Sequence, residues 1–217
     1  MLAIHGIQLK KNYGHYQVLQ EVNLGIAPGE CFALFGPNGS GKTTLLRILA
    51  TLYRPTEGRF EILGRDGMKE KEAVRSDLML FAHGSHLYDD LNATENLRFA
   101  LALRNLAPTD REIKSALDQV AIGAFADMKT RNYSAGMKKR LGLAKAILAQ
   151  PKVLLLDEPF SALDDAGVTL MQTFIHNTVE RGGAVLLCTH DRAKVTTLAH
   201  RAGVLNHGIL QPTSVSA

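Results

Sequence analysis

One glycine-rich segment limits what this chain can fold into more than any other feature. Gly36-Pro37-Asn38-Gly39-Ser40-Gly41-Lys42-Thr43 follows the apolar run Cys31 to Phe35 and leads at once into a helix-like run, Lys42 to Leu52. The pattern G-x-x-x-x-G-K-[ST] between a strand and a helix is a phosphate cradle. Its glycines let successive backbone N–H groups turn inward, and the helix start adds the positive end of its dipole at the same place. Lys42 supplies a cation for the outer phosphates of a nucleotide, and the Thr43 hydroxyl suits Mg²⁺. Gly36, Pro37, Asn38, Gly39, Ser40, Gly41, Lys42, Thr43 and Thr44 are therefore the expected nucleotide-binding segment.

The rest of the chain is punctuated by Gly and Pro into three regions. Up to about Gly64, apolar β-type stretches recur at Ala3 to Leu9, Val22 to Ile26, Cys31 to Phe35 and Arg59 to Leu63. From about Met68 to Gln150 the spacing turns helical, with helices expected over Thr94 to Leu106, Arg111 to Val120 and Ser134 to Ala149. After Pro151, short dense apolar strands return at Val153 to Leu156 and Ala184 to Cys188, separated by a helical stretch from Val168 to Glu180. Continuous apolar strands linked by helices indicate a mostly parallel sheet covered on both faces.

The strand over Val153 to Leu156 delivers Asp157 and Glu158 at its C-terminal end, the edge at which open α/β sheets bind ligands. With the glycine loop nearby, Asp157 is expected to hold Mg²⁺ alongside Thr43, and Glu158 to polarise an attacking water. The strand Ala184 to Thr189 brings His190 to the same edge, where an imidazole can hydrogen-bond the γ-phosphate. Composition excludes other classes. With 46% hydrophobic residues and a net charge of +4 the chain is globular, no apolar run approaches membrane-spanning length, and Met1 to Lys11 has no apolar secretory core. Two cysteines inside apolar runs exclude a disulfide framework.

These segments resemble ATP-binding-cassette ATPases over nearly the whole chain. The glycine loop, Tyr133-Ser134-Ala135-Gly136-Met137, Leu155-Leu156-Asp157-Glu158-Pro159, Ser161-Ala162-Leu163-Asp164 and Thr189-His190-Asp191 occur in that family's order. The resemblance implies an α/β P-loop NTPase (RecA-like) core with a mostly parallel sheet and an antiparallel β subdomain, formed by residues 1–82 and 151–217. It also implies a helical subdomain at about 83–150. It implies ATP and Mg²⁺ as cofactors, Glu158, His190 and Lys42 as catalytic residues, and Thr43 and Asp157 as metal holders. It adds Tyr13 as the aromatic that stacks on adenine, with Val18 beneath it, and makes Ser134, Ala135 and Gly136 a contact to ATP held by a second copy. Ser134 is a good helix N-cap, and a helix N-terminus is an anion site, so the residues themselves agree. The implied partners are a head-to-tail homodimer, or a pseudo-dimer with a similar subunit, and an integral membrane transporter subunit; no nucleic acid is expected, because the basic residues are scattered except around Lys138, Lys139 and Arg140. The implied location is the cytoplasmic face of a membrane.

Two departures from the family pattern stand out. Ala135 and Met137 stand where the family has Gly and Gln, while Ser134 and Gly136 are retained, so the phosphate contact is expected to persist. His83, in Leu80-Phe81-Ala82-His83-Gly84, aligns with the glutamine that links Mg²⁺ and water to the membrane partner, whose docking groove is expected around His83 to Leu91. These features resemble the branch that contains haem exporter subunits of cytochrome c maturation. The alternatives are export of another substrate, a soluble non-transport cassette ATPase, and a small-molecule kinase. A kinase has no use for Ser134 to Gly136 or His190 at these places, and the soluble classes usually carry coiled-coil, zinc or duplicated-domain additions.

Overall fold

The computed structural model describes residues 1–82 and 87–215, and the chain within it forms two compact units. The first comprises Met1–Ala82, Pro151–Pro159 and Ile175–Ala217, and the second His83–Gln150 and Phe160–Phe174.

The first unit holds two sheets. Strands β1 (Ile4–Tyr13), β2 (Tyr16–Ile26), β4 (Glu57–Ile62) and β5 (Arg65–Asp66) make an antiparallel sheet in the order β2-β1-β4-β5. Strands β3 (Cys31–Phe35), β6 (Leu78–Phe81), β7 (Val153–Asp157), β8 (Ala184–Cys188), β9 (Arg201–Asn206) and β10 (Ile209–Thr213) make the second, in the order β10-β9-β3-β8-β7-β6. It is parallel except for the β9–β10 pair, so the P-loop NTPase core expected from the sequence is present. Every residue of β3, β7 and β8 is buried, which explains their unbroken apolar sequence. Leu154, Leu155 and Leu156 are fully enclosed, and each such leucine contributes about 1.5–3 kcal/mol. That burial fixes the strand end carrying Asp157. Cys31 and Cys188 are free and buried in the same layer, and burial, with Glu30 nearby, pushes the Cys31 thiol up to about 12.

Helix α1 (Lys42–Leu49) follows the glycine loop, and the short α2 (Lys71–Asp77) leads into β6. The second unit contains α3 (Ala93–Ala102), α4 (Asp110–Gln119), two short 3₁₀ turns and α5 (Ala135–Ala149). Helix α6 (Asp165–Glu180) begins in the second unit and ends in the first. Capping boxes at Asn92 with Glu95 and at Thr109 with Glu112 start α3 and α4.

Three sequence expectations need correction. The helices expected to reach Leu52 and Leu106 stop at Leu49 and Ala102. In each, a left-handed residue, Thr51 (φ 62°) or Asn105 (φ 58°), closes a Schellman turn. There Leu52 N–H bonds to Arg47 O, and Leu106 N–H to Leu101 O. Leu78–Phe81, inside the stretch whose spacing predicts mostly helix, is a strand of the main sheet, because a short apolar run carries no period that separates the two. The first hairpin is also longer than its apolar stretches: Tyr13 pairs directly with Tyr16.

Candidate functional site

The glycine loop is built by close approach. A β-carbon at Gly36 would collide with the Leu205 carbonyl oxygen of β9, and Gly41, at the N-cap of α1, has φ 106°. Gly41 offers no side-chain cap and the first turn of α1 holds no acid, so the amides at its start are left for an anion. Ser40 is 5% exposed, and its Oγ is a buried polar atom with no hydrogen-bond partner. A buried hydroxyl in that condition is costly unless a ligand engages it. Lys42, 8% exposed, folds back so that Nζ donates to Gly36 O (2.7 Å) and Pro37 O (2.9 Å).

Across from the loop, Thr43 Oγ1 donates to Asp157 Oδ2 at 2.7 Å, joining the two residues expected to hold Mg²⁺. Hard oxygen donors of this kind suit Mg²⁺, which takes one or two protein oxygens and completes its shell with phosphates and water. Register carries the next residue: Asp157 pairs with Cys188, and Glu158 N–H extends the ladder to Cys188 O at 2.9 Å. Glu158 sits at φ 48°, a conformation that costs free energy in a non-glycine residue and clusters at functional sites. Both of its carboxylate oxygens are engaged, Oε2 by Thr189 Oγ1 (3.2 Å) and Oε1 by His190 Nδ1 (3.1 Å). The structure thus brings Lys42, Thr43, Asp157, Glu158 and His190 to one edge of the main sheet.

A groove of about 430 Å³ runs beside the loop, lined by Tyr16, Gln17, Val18, Gln20, Pro37 to Ser40 and Asn206 to Gly208. Val18 is among its lining residues and Tyr13 is not; Tyr13 is 48% exposed, with Lys11 Nζ 5.0 Å above its ring. Sequence reasoning missed Tyr16. The signal was the two-residue turn Gly14-His15, which pairs Tyr13 with Tyr16 and places both rings on one face of the hairpin. Thr44 stands on α1, partly buried. His83 lies outside the described residues, and so does part of the expected docking segment.

In the second unit, Asn96 organises the approach to Ser134. It is 3% exposed, accepts from Tyr88 N–H, and donates to the carbonyls of Tyr88, Leu91 and Asn92. Thr130 adds a bond to Tyr88 O, and the buried Tyr133 anchors its hydroxyl on Phe125 O at 2.7 Å. With Tyr133 pinned inside, Ser134 emerges as the N-cap of α5 and accepts from Met137 N–H at 3.2 Å. Ser134 and Ala135 are exposed, and the first turn of α5 contains no acid.

A strand, a glycine loop with an orphaned hydroxyl, a helix, an acid pair at the end of β7 and a histidine just past its parallel neighbour β8 define the protein's class: a P-loop NTPase. The chain belongs to the ABC transporter family, whose model matches residues 19–161. It is 37% identical to a protein of Rhizobium etli named sn-glycerol-3-phosphate import ATP-binding protein UgpC 3, over 97% of this chain and 61% of that protein. It is 38% identical to a protein of Pseudomonas putida named cytochrome c biogenesis ATP-binding export protein CcmA, over 80% of this chain and 82% of that one. Among solved structures, the dimeric post-hydrolysis state of the ATP-binding cassette MJ0796 bound to ADP and Pi superposes with a TM-score of 0.88 at 27% identity, covering 99% of each chain. The chain thus spans about three fifths of the length of the UgpC relative. Among the described residues, no helix is long and apolar enough to cross a membrane.

Proposed function

We propose that this chain binds and hydrolyses ATP as the nucleotide-binding subunit of an ABC transporter, working as a head-to-tail pair of copies on the cytoplasmic face of a membrane. One observation carries the reading: the unpartnered Ser40 hydroxyl, the open start of α1 and the Glu158–His190 pair lie within one compact unit. Phosphates entering the loop satisfy Ser40 and the α1 amides and draw Lys42 Nζ away from the Gly36 and Pro37 carbonyls. Thr43 and Asp157 are the residues that would hold Mg²⁺, which when bound neutralises phosphate charge. Glu158 accepts a proton from the attacking water, and His190 orients that carboxylate and steadies the γ-phosphate. Tyr13 and Tyr16 offer ring faces to the adenine. Ser134, Ala135 and Gly136 present the start of α5 to the triphosphate of the second copy, so that each nucleotide is completed only by pairing. The dimeric form of the MJ0796 cassette supports this arrangement.

The finer reading is the ATP-binding subunit of an exporter of the cytochrome c maturation kind, with haem as the cargo of the membrane subunit it powers. It is supported by the CcmA relative, of which the chain covers 82%, against 61% for the glycerol phosphate importer. Purification from membranes with this chain as bait, followed by identification of the integral subunit, tests it; recovery of an importer subunit would exclude it.

Replacing Glu158 by Gln tests the chemistry. Nucleotide binding should persist, steady-state hydrolysis should fall about a hundredfold or more, and ATP should drive a stable dimer. Undiminished turnover in that variant would remove Glu158 from the mechanism.

A further inference from the structure

The segment after Pro159 holds a conformation it would not adopt alone. Ala162 sits at φ 58°, in the left-handed region that a residue with a β-carbon enters only when its surroundings impose it. Here the surroundings are the first turns of α5. Lys139 Nζ donates both to Ser161 O (2.8 Å) and to Ser161 Oγ (2.7 Å). Arg140 donates to Asp164 Oδ1 (2.5 Å), and that same oxygen accepts Gly167 N–H (3.0 Å) at the start of α6. The Ala162 carbonyl lies over Gly136 so closely that a β-carbon there would stand 2.9 Å from it. Lys138, next to Lys139, turns elsewhere and pairs with Asp89.

We propose that Lys139 is a positioning residue: its ammonium, held by both acceptors of Ser161, locks the 161–164 loop to the serine-capped start of α5, so that the two move as one rigid element. An ammonium has three donors and no acceptor, which matches a carbonyl and a hydroxyl oxygen on one residue. Arg140 reinforces the lock from the next position, through Asp164. Catalytic contacts tolerate little displacement, so a loose loop lowers the rate without altering how the glycine loop holds its own nucleotide. The consequence for turnover rests on the proposed dimer, in which the start of α5 faces the second copy; the lock itself does not.

The experiment combines hydrogen exchange with kinetics. In nucleotide-free protein, Lys139→Met keeps the apolar stem and removes the donors. Amide exchange over 161–164 should rise about tenfold, while the melting temperature moves by no more than about 2 °C. Maximal ATP turnover should fall about tenfold with KM for ATP changed less than about twofold. Lys139→Arg should restore both readouts most of the way. Ser161→Ala added to Lys139→Met should cost little more than Lys139→Met alone, because the two side chains form one unit. Unchanged exchange in Lys139→Met overturns the lock, and faster exchange with undiminished turnover overturns its role. Failure of the Glu158→Gln protein to dimerise with ATP while the loop still loosens in Lys139→Met overturns the proposed dimer and leaves the lock standing.

Discussion

The two units treat differently the helix starts that are proposed to meet phosphate. At α1 the N-cap is Gly41, with no side chain to spend, and the neighbouring Ser40 hydroxyl has no partner. At α5 the N-cap is Ser134, whose oxygen already serves Met137 N–H. The first start is left incomplete at a cost in stability and, in the proposed function, is completed by ligand; the second is a finished, exposed helix cap. In the first unit, moreover, the reactive groups hold one another in reserve: Lys42 rests on two carbonyls, Thr43 on Asp157, and Glu158 on Thr189 and His190. In the proposed function, binding there is an exchange of partners, whereas in the second unit it is an addition.

That contrast can be broken most forcefully at Lys42. Lys42→Ala should weaken ATP binding by the isolated chain and reduce hydrolysis about a thousandfold; equilibrium binding of a fluorescent ATP analogue beside a steady-state assay reads both. Undiminished affinity would mean that the exchange of partners is not how the loop works.

Substitutions at Ser134 sharpen the contrast, because cap and ligand contact can be separated there. Ser134→Ala should cost about 1 kcal/mol of stability through the lost cap and lower turnover about tenfold. Ser134→Asp restores an equally good cap while setting a negative charge where phosphate would lie. It should therefore recover the melting temperature yet turn over ATP more slowly than the alanine variant. Both should bind nucleotide as monomers as tightly as the parent. A Ser134→Asp protein with parental turnover would make Ser134 a cap and nothing more.

The smallest effect is expected at an ion pair of the first unit that serves neither helix start. Asp77 is paired with Arg65 and with Lys152 (3.0 Å). Burial alone would raise its pKa, but Lys152 and Arg65 together hold the carboxyl below its usual range. A depressed carboxyl stabilises the fold above the ordinary carboxylate pKa of about 4, and that contribution fades as pH falls through the lower folded value. Both cationic partners are partly solvated, so Asp77→Asn should cost only about 1 kcal/mol at neutral pH, with no effect on ATP affinity. Urea melts at pH 7 and pH 3 should show the deficit shrinking at the lower pH.

Much of the nucleotide site was legible because its chemistry is local in sequence. The glycine loop needs a fixed order of small residues, a lysine and a hydroxyl, and the acids after Leu156 follow an unmistakably buried strand. Helix ends were less legible. Thr51 and Asn105, and likewise Ala121 and Gln150 after α4 and α5, take left-handed conformations without being glycine, so the residue that usually marks a stop is missing. The strand Leu78–Phe81 carried too short a run to show a period, and sequence reasoning did not single out Tyr16, which the hairpin turn sets opposite Tyr13.

Sequence alone determined the class of fold, the phosphate loop and the identity of the acids and histidine at the sheet edge, because hydrophobic period and backbone turn chemistry act over a few residues. Only the tertiary structure decided that Glu158 is gripped by Thr189 and His190, and that Lys139 holds Ser161. Those contacts join residues more than twenty positions apart through parallel register and loop packing. No local propensity encodes a distance between two side chains until the intervening chain has folded.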